Sequence, residues 1–138
     1  KKMIELVYYS KASSDLTSED ISNILATARK FNVENNITGC LLYHNNEFLQ
    51  ILEGEREVLM DLFASIEKDE RHSNIMLLAT EDKNERLFSD WSMAFYEFES
   101  NEIEKKLFVS GVQYFSDFYK NPTHVMDLFL TMAKSIVG

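Results

Sequence analysis

The chain has 138 residues, 45% of them hydrophobic, with one cysteine and a formal net charge of −9. That length can bury roughly two-thirds of the unfolded surface, enough for one domain without disulfide or metal support. The acidic balance, with basic residues scattered among acidic neighbours, argues against nucleic acid and against anionic membranes, and no apolar run reaches the roughly twenty residues of a membrane span.

The amino-terminal stretch Lys1-Lys2-Met3-Ile4-Glu5-Leu6 reads as the start of a strand rather than a secretory signal, and residues 3–9 are rich in strand formers. Thr17 with Asp20 three residues on is a capping box. Ile21, Ile24, Leu25 and Ala28 then mark one face of a helix running to about Phe31. Residues 37–43 and 47–53 are apolar runs joined through His44-Asn45-Asn46, a β-hairpin, because Asn tolerates the positive φ of a tight turn. The lone Cys40 in that hairpin forbids an internal disulfide and fits a reducing, cytoplasmic compartment. Val58, Leu59, Leu62, Phe63 and Ile66 predict a second helix, and residues 74–80 and 91–97 two further strands. From about Asn101 the pattern turns helical, with two helices near 102–119 and 123–136 separated at Pro122.

The expected class is therefore α+β: a ferredoxin-like β-α-β-β-α-β core, its antiparallel sheet covered by both helices on one face, with an extra fifth strand and two carboxy-terminal helices. Strand parity puts Phe48, Gln50 and Leu52 on one face and Leu49 and Ile51 on the other; Leu6 and Tyr8 likewise oppose Val7 and Tyr9. Two helices cover only one side. The second face is expected to be covered by the carboxy-terminal helices, through the stripes Phe108, Val112, Phe115, Tyr119 and Val125, Leu128, Phe129, Met132, or by a partner subunit.

Common catalytic signatures are missing. Four glycines make no dinucleotide or phosphate loop, and His44, His72 and His124 have no metal-ligand spacing with one another or with Cys40. Gln50 is the most informative residue: a mid-strand amide that, if buried, must find a polar partner, and if on an edge strand reaches water. Tyr8 has the same ambiguity. By default Asn32 is a helix C-cap, Trp91 and Met93 are core, and Arg71-His72 after Asp69 is a capping and surface group.

Together, Tyr8-Tyr9-Ser10, Lys30-Phe31-Asn32, Ile37-Thr38-Gly39, Phe48-Leu49-Gln50-Ile51-Leu52-Glu53-Gly54, Asp69-Glu70-Arg71-His72 and Phe88-Ser89-Asp90-Trp91-Ser92-Met93 resemble, in order and spacing over about residues 3–97, the BLUF family of blue-light sensors using FAD. The resemblance implies non-covalent FAD with its ring between the two helices, Ile24 and Ile66 as apolar jaws and Asn32 bonding the pyrimidine edge. Arg71 and His72 would lie near that edge and the ribityl-phosphate side, supported by Asp69, and Ser10, Ala28, Phe48 and Leu52 complete the implied binding set with Tyr8 and Gln50. Phe31 departs from the polar residue often found there in the family, so one bond to the ring is put in question.

The implied mechanism is photochemical, with Tyr8 as electron and proton donor and Gln50 changing its orientation or tautomer, and with no net turnover. Output would pass through the last strand by Trp91 or Met93, a choice the sequence leaves open. Residues 1–98 would form the flavin domain and 99–138 a helical extension on the sheet; with no effector recognisable, the chain looks like a short, stand-alone member. The partners implied are a downstream signalling protein and a second copy of the chain. The rival readings are a flavin- or small-molecule-dependent enzyme on the same scaffold, and an RNA-binding module, against which the acidic charge speaks.

Overall fold

The computed structural model describes residues 2–44, 46–86, 88, 94–97, 128–129 and 131–132. Its elements are β1 (Met3–Ala12), α1 (Ser18–Glu34), β2 (Thr38–His44), β3 (Glu47–Glu55), α2 (Arg56–Glu67), β4 (His72–Asp82) and β5 (Ala94–Glu97). The α+β class and the β-α-β-β-α-β order are as expected. Trp91, Met93 and most of the two carboxy-terminal helices lie outside the described residues; Leu128, Phe129, Thr131 and Met132 are helical, and Phe129 is fully buried.

The sheet order is β4-β1-β3-β2-β5. Its first four strands pair antiparallel, while β5 runs parallel to β2. The β2–β3 hairpin closes with His44 opposite Glu47 and with Asn46 at φ 63°. Among residues that carry a side chain, asparagine is one of those that best tolerate such left-handed backbone. Gly39 is needed for a different reason: a Cβ on it would stand 2.1 Å from the carbonyl oxygen of Ile51, so only hydrogen allows β2 and β3 to meet.

Thr17 caps α1 as the sequence predicts: its side chain accepts from the Asp20 N–H at 3.1 Å, and Asp20 Oδ2 accepts from the Thr17 N–H at 2.9 Å. The far end differs. The helix runs past Phe31 to Glu34, and Asn35 is the C-cap, its side-chain amide donating to Phe31 O at 2.9 Å. Asn36 then takes φ 55° and turns the chain into β2. Asn32 is therefore not the cap. It lies inside the last turn, buried, because the two asparagines that follow do the terminating. His72 likewise begins strand β4 rather than capping a helix.

Helices α1 and α2 cover one face, where Ile4, Leu6, Leu41, Leu52, Leu59 and Phe63 belong to one core cluster. The second face is also buried: Val7, Cys40, Leu42, Leu49 and Ile51 are almost fully shielded. Each such side chain contributes about 1.5–3 kcal/mol. Tyr9 on that face is half-buried and donates its hydroxyl to Glu47 at 2.7 Å.

Candidate functional site

Alternation along two strands creates the centre of the site. Tyr8 on β1 stands directly opposite Gln50 on β3, and directly opposed residues share a face. Here it is the face under the helices. The Tyr8 hydroxyl donates to Gln50 Oε1 at 2.5 Å, with Tyr8 3% and Gln50 5% exposed. The β1–β4 ladder shifts register between Val7 and Tyr8, an irregularity of the kind that re-aims a side chain. Phe63 of α2 packs edge-on to the phenol, ring centres 5.7 Å apart. Burial, reinforced by the negative charge of Asp69, pushes the phenol pKa far up, so the group stays a neutral O–H donor.

Over this pair, between α1 and α2, lies a cavity of about 270 Å³. Ile24, Ala28 and Asn32 of α1 and Ile66 of α2 line it, with Phe48, Gln50 and Tyr8 from the sheet and Asp69, Arg71 and His72 from the α2–β4 turn and the start of β4. Ten of the predicted site residues thus meet in one place. Two do not line it: Leu52 stands in the core cluster, and Ser10, fully buried, instead reaches His72 Nδ1 at 3.0 Å. Trp91 and Met93 lie outside the described residues. Phe31, read from the sequence as facing the ring, also lines the cavity, as do Thr27, Leu41, Leu62 and Ser65, which were missed. Helical spacing could have found three of these four, since 24, 27, 28 and 62, 65, 66 are single stripes. Leu41 needed the register, which places it opposite Gln50.

One end of the cavity is charged. Arg71 grips Asp69 with two nitrogens, Nε at 3.0 Å from Oδ1 and Nη2 at 2.6 Å from Oδ2, and its backbone N–H adds a third bond at 3.0 Å. These bonds hold the Asp69 carboxyl below its ordinary range and Arg71 above its own. His72 is packed against the Phe48 ring at 4.9 Å. Burial lowers its pKa, an effect Arg71 reinforces and Asp69 opposes, so the imidazole is mainly neutral near pH 7. Among the described residues no three His, Cys, Asp or Glu side chains converge as metal ligands, and no helix is long and apolar enough to cross a membrane.

These features define a ferredoxin-like ligand-binding domain with a buried phenol–amide pair at the floor of its cavity. The model of the family "Sensors of blue-light using FAD" (BLUF) matches residues 3–94. The chain belongs to the BLUF family of flavin-binding blue-light sensors. The beta subunit of photoactivated adenylate cyclase from Euglena gracilis is 34% identical over 89 residues, which is 64% of this chain and 10% of that protein. Among solved structures, BlrB, a BLUF protein in its dark state, aligns with a TM-score of 0.73 and 30% identity, covering 97% of each chain. A bacterial light-regulated adenylyl cyclase aligns with a TM-score of 0.70 and 36% identity over 94% of this chain and 39% of the other. The chain spans about a tenth of the length of the Euglena cyclase relatives it matches.

The residues present fit a flavin. Ile24 and Ile66 offer apolar walls from the two helices, and the amides of Asn32 and Gln50 bring donors and acceptors to match the alternating carbonyl and N–H groups of a flavin's pyrimidine edge.

Proposed function

We propose that this chain is a blue-light photosensor that holds FAD non-covalently between α1 and α2 and turns light into a rearranged Tyr8–Gln50 hydrogen bond. The observation that carries the reading is the buried bond from the Tyr8 hydroxyl to Gln50 Oε1 beside the cavity. When bound, the flavin supplies blue absorption and a group that accepts an electron and a proton from a neighbouring donor. Tyr8 suits that donor role because its phenol is oxidisable and kept neutral, so the electron leaves with the proton directed along the bond to Gln50, and both return. Gln50 carries donor and acceptor in one planar group, so a rotation or a change of tautomer alters which of them it offers the ring's carbonyl edge.

Asn32, Ile24 and Ile66 hold and orient the ring, and Asp69, Arg71 and His72 stand towards the ribityl-phosphate side. Net chemistry is zero, so the chain is a sensor and not an enzyme. Cys40 supports non-covalent binding: burial raises its thiol pKa, and it lies on the face away from the cavity. In this reading residues 1–98 hold the flavin, 99–138 cover the second face, and Trp91 or Met93 passes the change to a downstream signalling protein. A second copy of the chain is the other partner, supported by exposed Met76 and Leu77 on the edge strand β4. The free cysteine supports a cytoplasmic setting.

The test is an absorption spectrum of the purified chain before and after blue light. Bound FAD with a small reversible red shift and no net reduction is expected. Colourless protein with no affinity for added FAD, or a flavin reduced and turned over with substrate, overturns the reading.

A further inference from the structure

Beyond β4 the chain leaves one edge of the sheet and must reach β5 at the other. The first residues of that crossing are tied down by charge. Lys83 Nζ donates to Glu5 Oε2 at 2.7 Å and also to Glu53 Oε2, and its backbone N–H bonds Met3 O at 3.1 Å. Both carboxylate side chains are fully buried and that of Lys83 is 8% exposed. Arg86 donates to Thr38 Oγ1 at 2.8 Å, to Glu53 O at 3.1 Å and to Asn36 O at 2.6 Å. Glu53 Oε1 receives the backbone N–H of Phe88 and the Thr38 hydroxyl, each at 2.9 Å. One carboxylate therefore meets Lys83, Thr38 and Phe88 at once.

Burying two carboxylates on one ammonium is a poor route to stability, since an apolar cluster of like volume often does as well or better. What it supplies is directional bonding that permits one placement of the crossing segment. That placement touches the two elements that carry the cavity's amides. Glu53 lies on β3 three residues after Gln50, and Asn36 lies four residues after Asn32 at the end of α1. Phe88, buried, comes three residues before Trp91, the only tryptophan in the chain.

We propose that Glu53 is a positioning residue of the light switch, fixing Lys83, Arg86 and Phe88 on the end of β3 so that a change at Gln50 reaches the chain beyond Phe88. The proposal rests on the photosensor reading. It is tested with FAD-loaded full chain, recording the flavin spectrum and the Trp91 emission in the dark and under blue light. Glu53→Gln keeps the shape, but its amide nitrogen cannot accept from Lys83 or Phe88. The unmodified chain is expected to show a light-induced change in Trp91 emission, and the variant to keep flavin and red shift while losing that change. Arg86→Gln, which keeps the Glu53 carboxylate and its bond to Lys83 in place, is expected to weaken the same change and serves if Glu53→Gln does not fold. A lower melting temperature with the emission change intact marks a structural clip and overturns the proposal. So does loss of the red shift itself in Glu53→Gln, which would make Glu53 a support of the cavity. A normal red shift in the unmodified chain without any change at Trp91 also overturns it. Absence of the red shift from the unmodified chain would instead sink the photosensor reading.

Discussion

Tyr8 and Gln50 are each ambiguous alone, and what resolves them is which residue each one faces. The β2–β3 hairpin is readable from sequence through the asparagines between its two apolar runs, but the Tyr8–Gln50 opposition joins strands 42 residues apart and needs the folded sheet. The pair sets the first prediction. Gln50→Leu should retain flavin and lose the red shift, at a stability cost of about 1–3 kcal/mol, because the buried Tyr8 hydroxyl loses its acceptor. Tyr8→Phe should also bind flavin without a normal photocycle. Absorption spectroscopy with thermal melts checks both, and a wild-type shift in both would remove these two residues from the switch. His72 gives a pH dependence. Its folded pKa is lowered from 6.5, so the unfolded chain takes up the proton first. Stability should be full above that value and decline as pH falls from about 6.5 through the lowered folded pKa. Asp69 adds a later loss, as pH falls below 3.8 through its own lowered value. Melting temperature against pH should show the upper step in the unmodified chain and lack it in His72→Gln.

Helix and strand ends differed in how far they could be read. The start of α1 was legible because Thr17 and Asp20 satisfy each other's backbone N–H within one turn. Its end was not, because Asn32, Asn35 and Asn36 are all plausible terminators and only packing selects the last two. The start of α2 carries no side-chain cap at all; the Arg56 N–H is met by Lys2 O at 3.0 Å, a partner more than fifty residues away in sequence. Two predictions belong to these elements. Thr17→Ala should cost about 1 kcal/mol, read from a chemical melt, with the flavin spectrum unchanged. Gly39→Ala should do far more harm, since its methyl would meet backbone and not a movable side chain. Loss of the β2–β3 pair, seen as rapid hydrogen exchange across 38–53, is the expected result. Ordinary protection there would show that the two strands can separate enough to admit it.

For the whole molecule, a sheet buried on both sides was legible from strand parity, since Val7, Leu49 and Ile51 oppose the helix-facing set. The same parity puts Glu5 and Glu53 on that second face. Charge in a strand reads as solvated, and the lysine that makes their burial tolerable lies 78 residues from one and 30 from the other. If residues 99–138 cover the second face as proposed, removal of residues from Asn101 onward should leave a flavin-binding, photocycling unit that aggregates through Val7, Leu42, Leu49 and Ile51. Size-exclusion chromatography with the spectrum checks this, and a monodisperse truncated chain would mean that some other surface does the covering. The order β4-β1-β3-β2-β5 has a consequence of another kind. Tyr8 sits on a strand flanked by β4 and β3, and Gln50 on one flanked by β1 and β2, so neither borrows a backbone partner from outside the unit. A fold wired in this way is portable. Evolution can splice it to new machinery at its rim, or change what its rim touches, without retuning the colour chemistry at its centre.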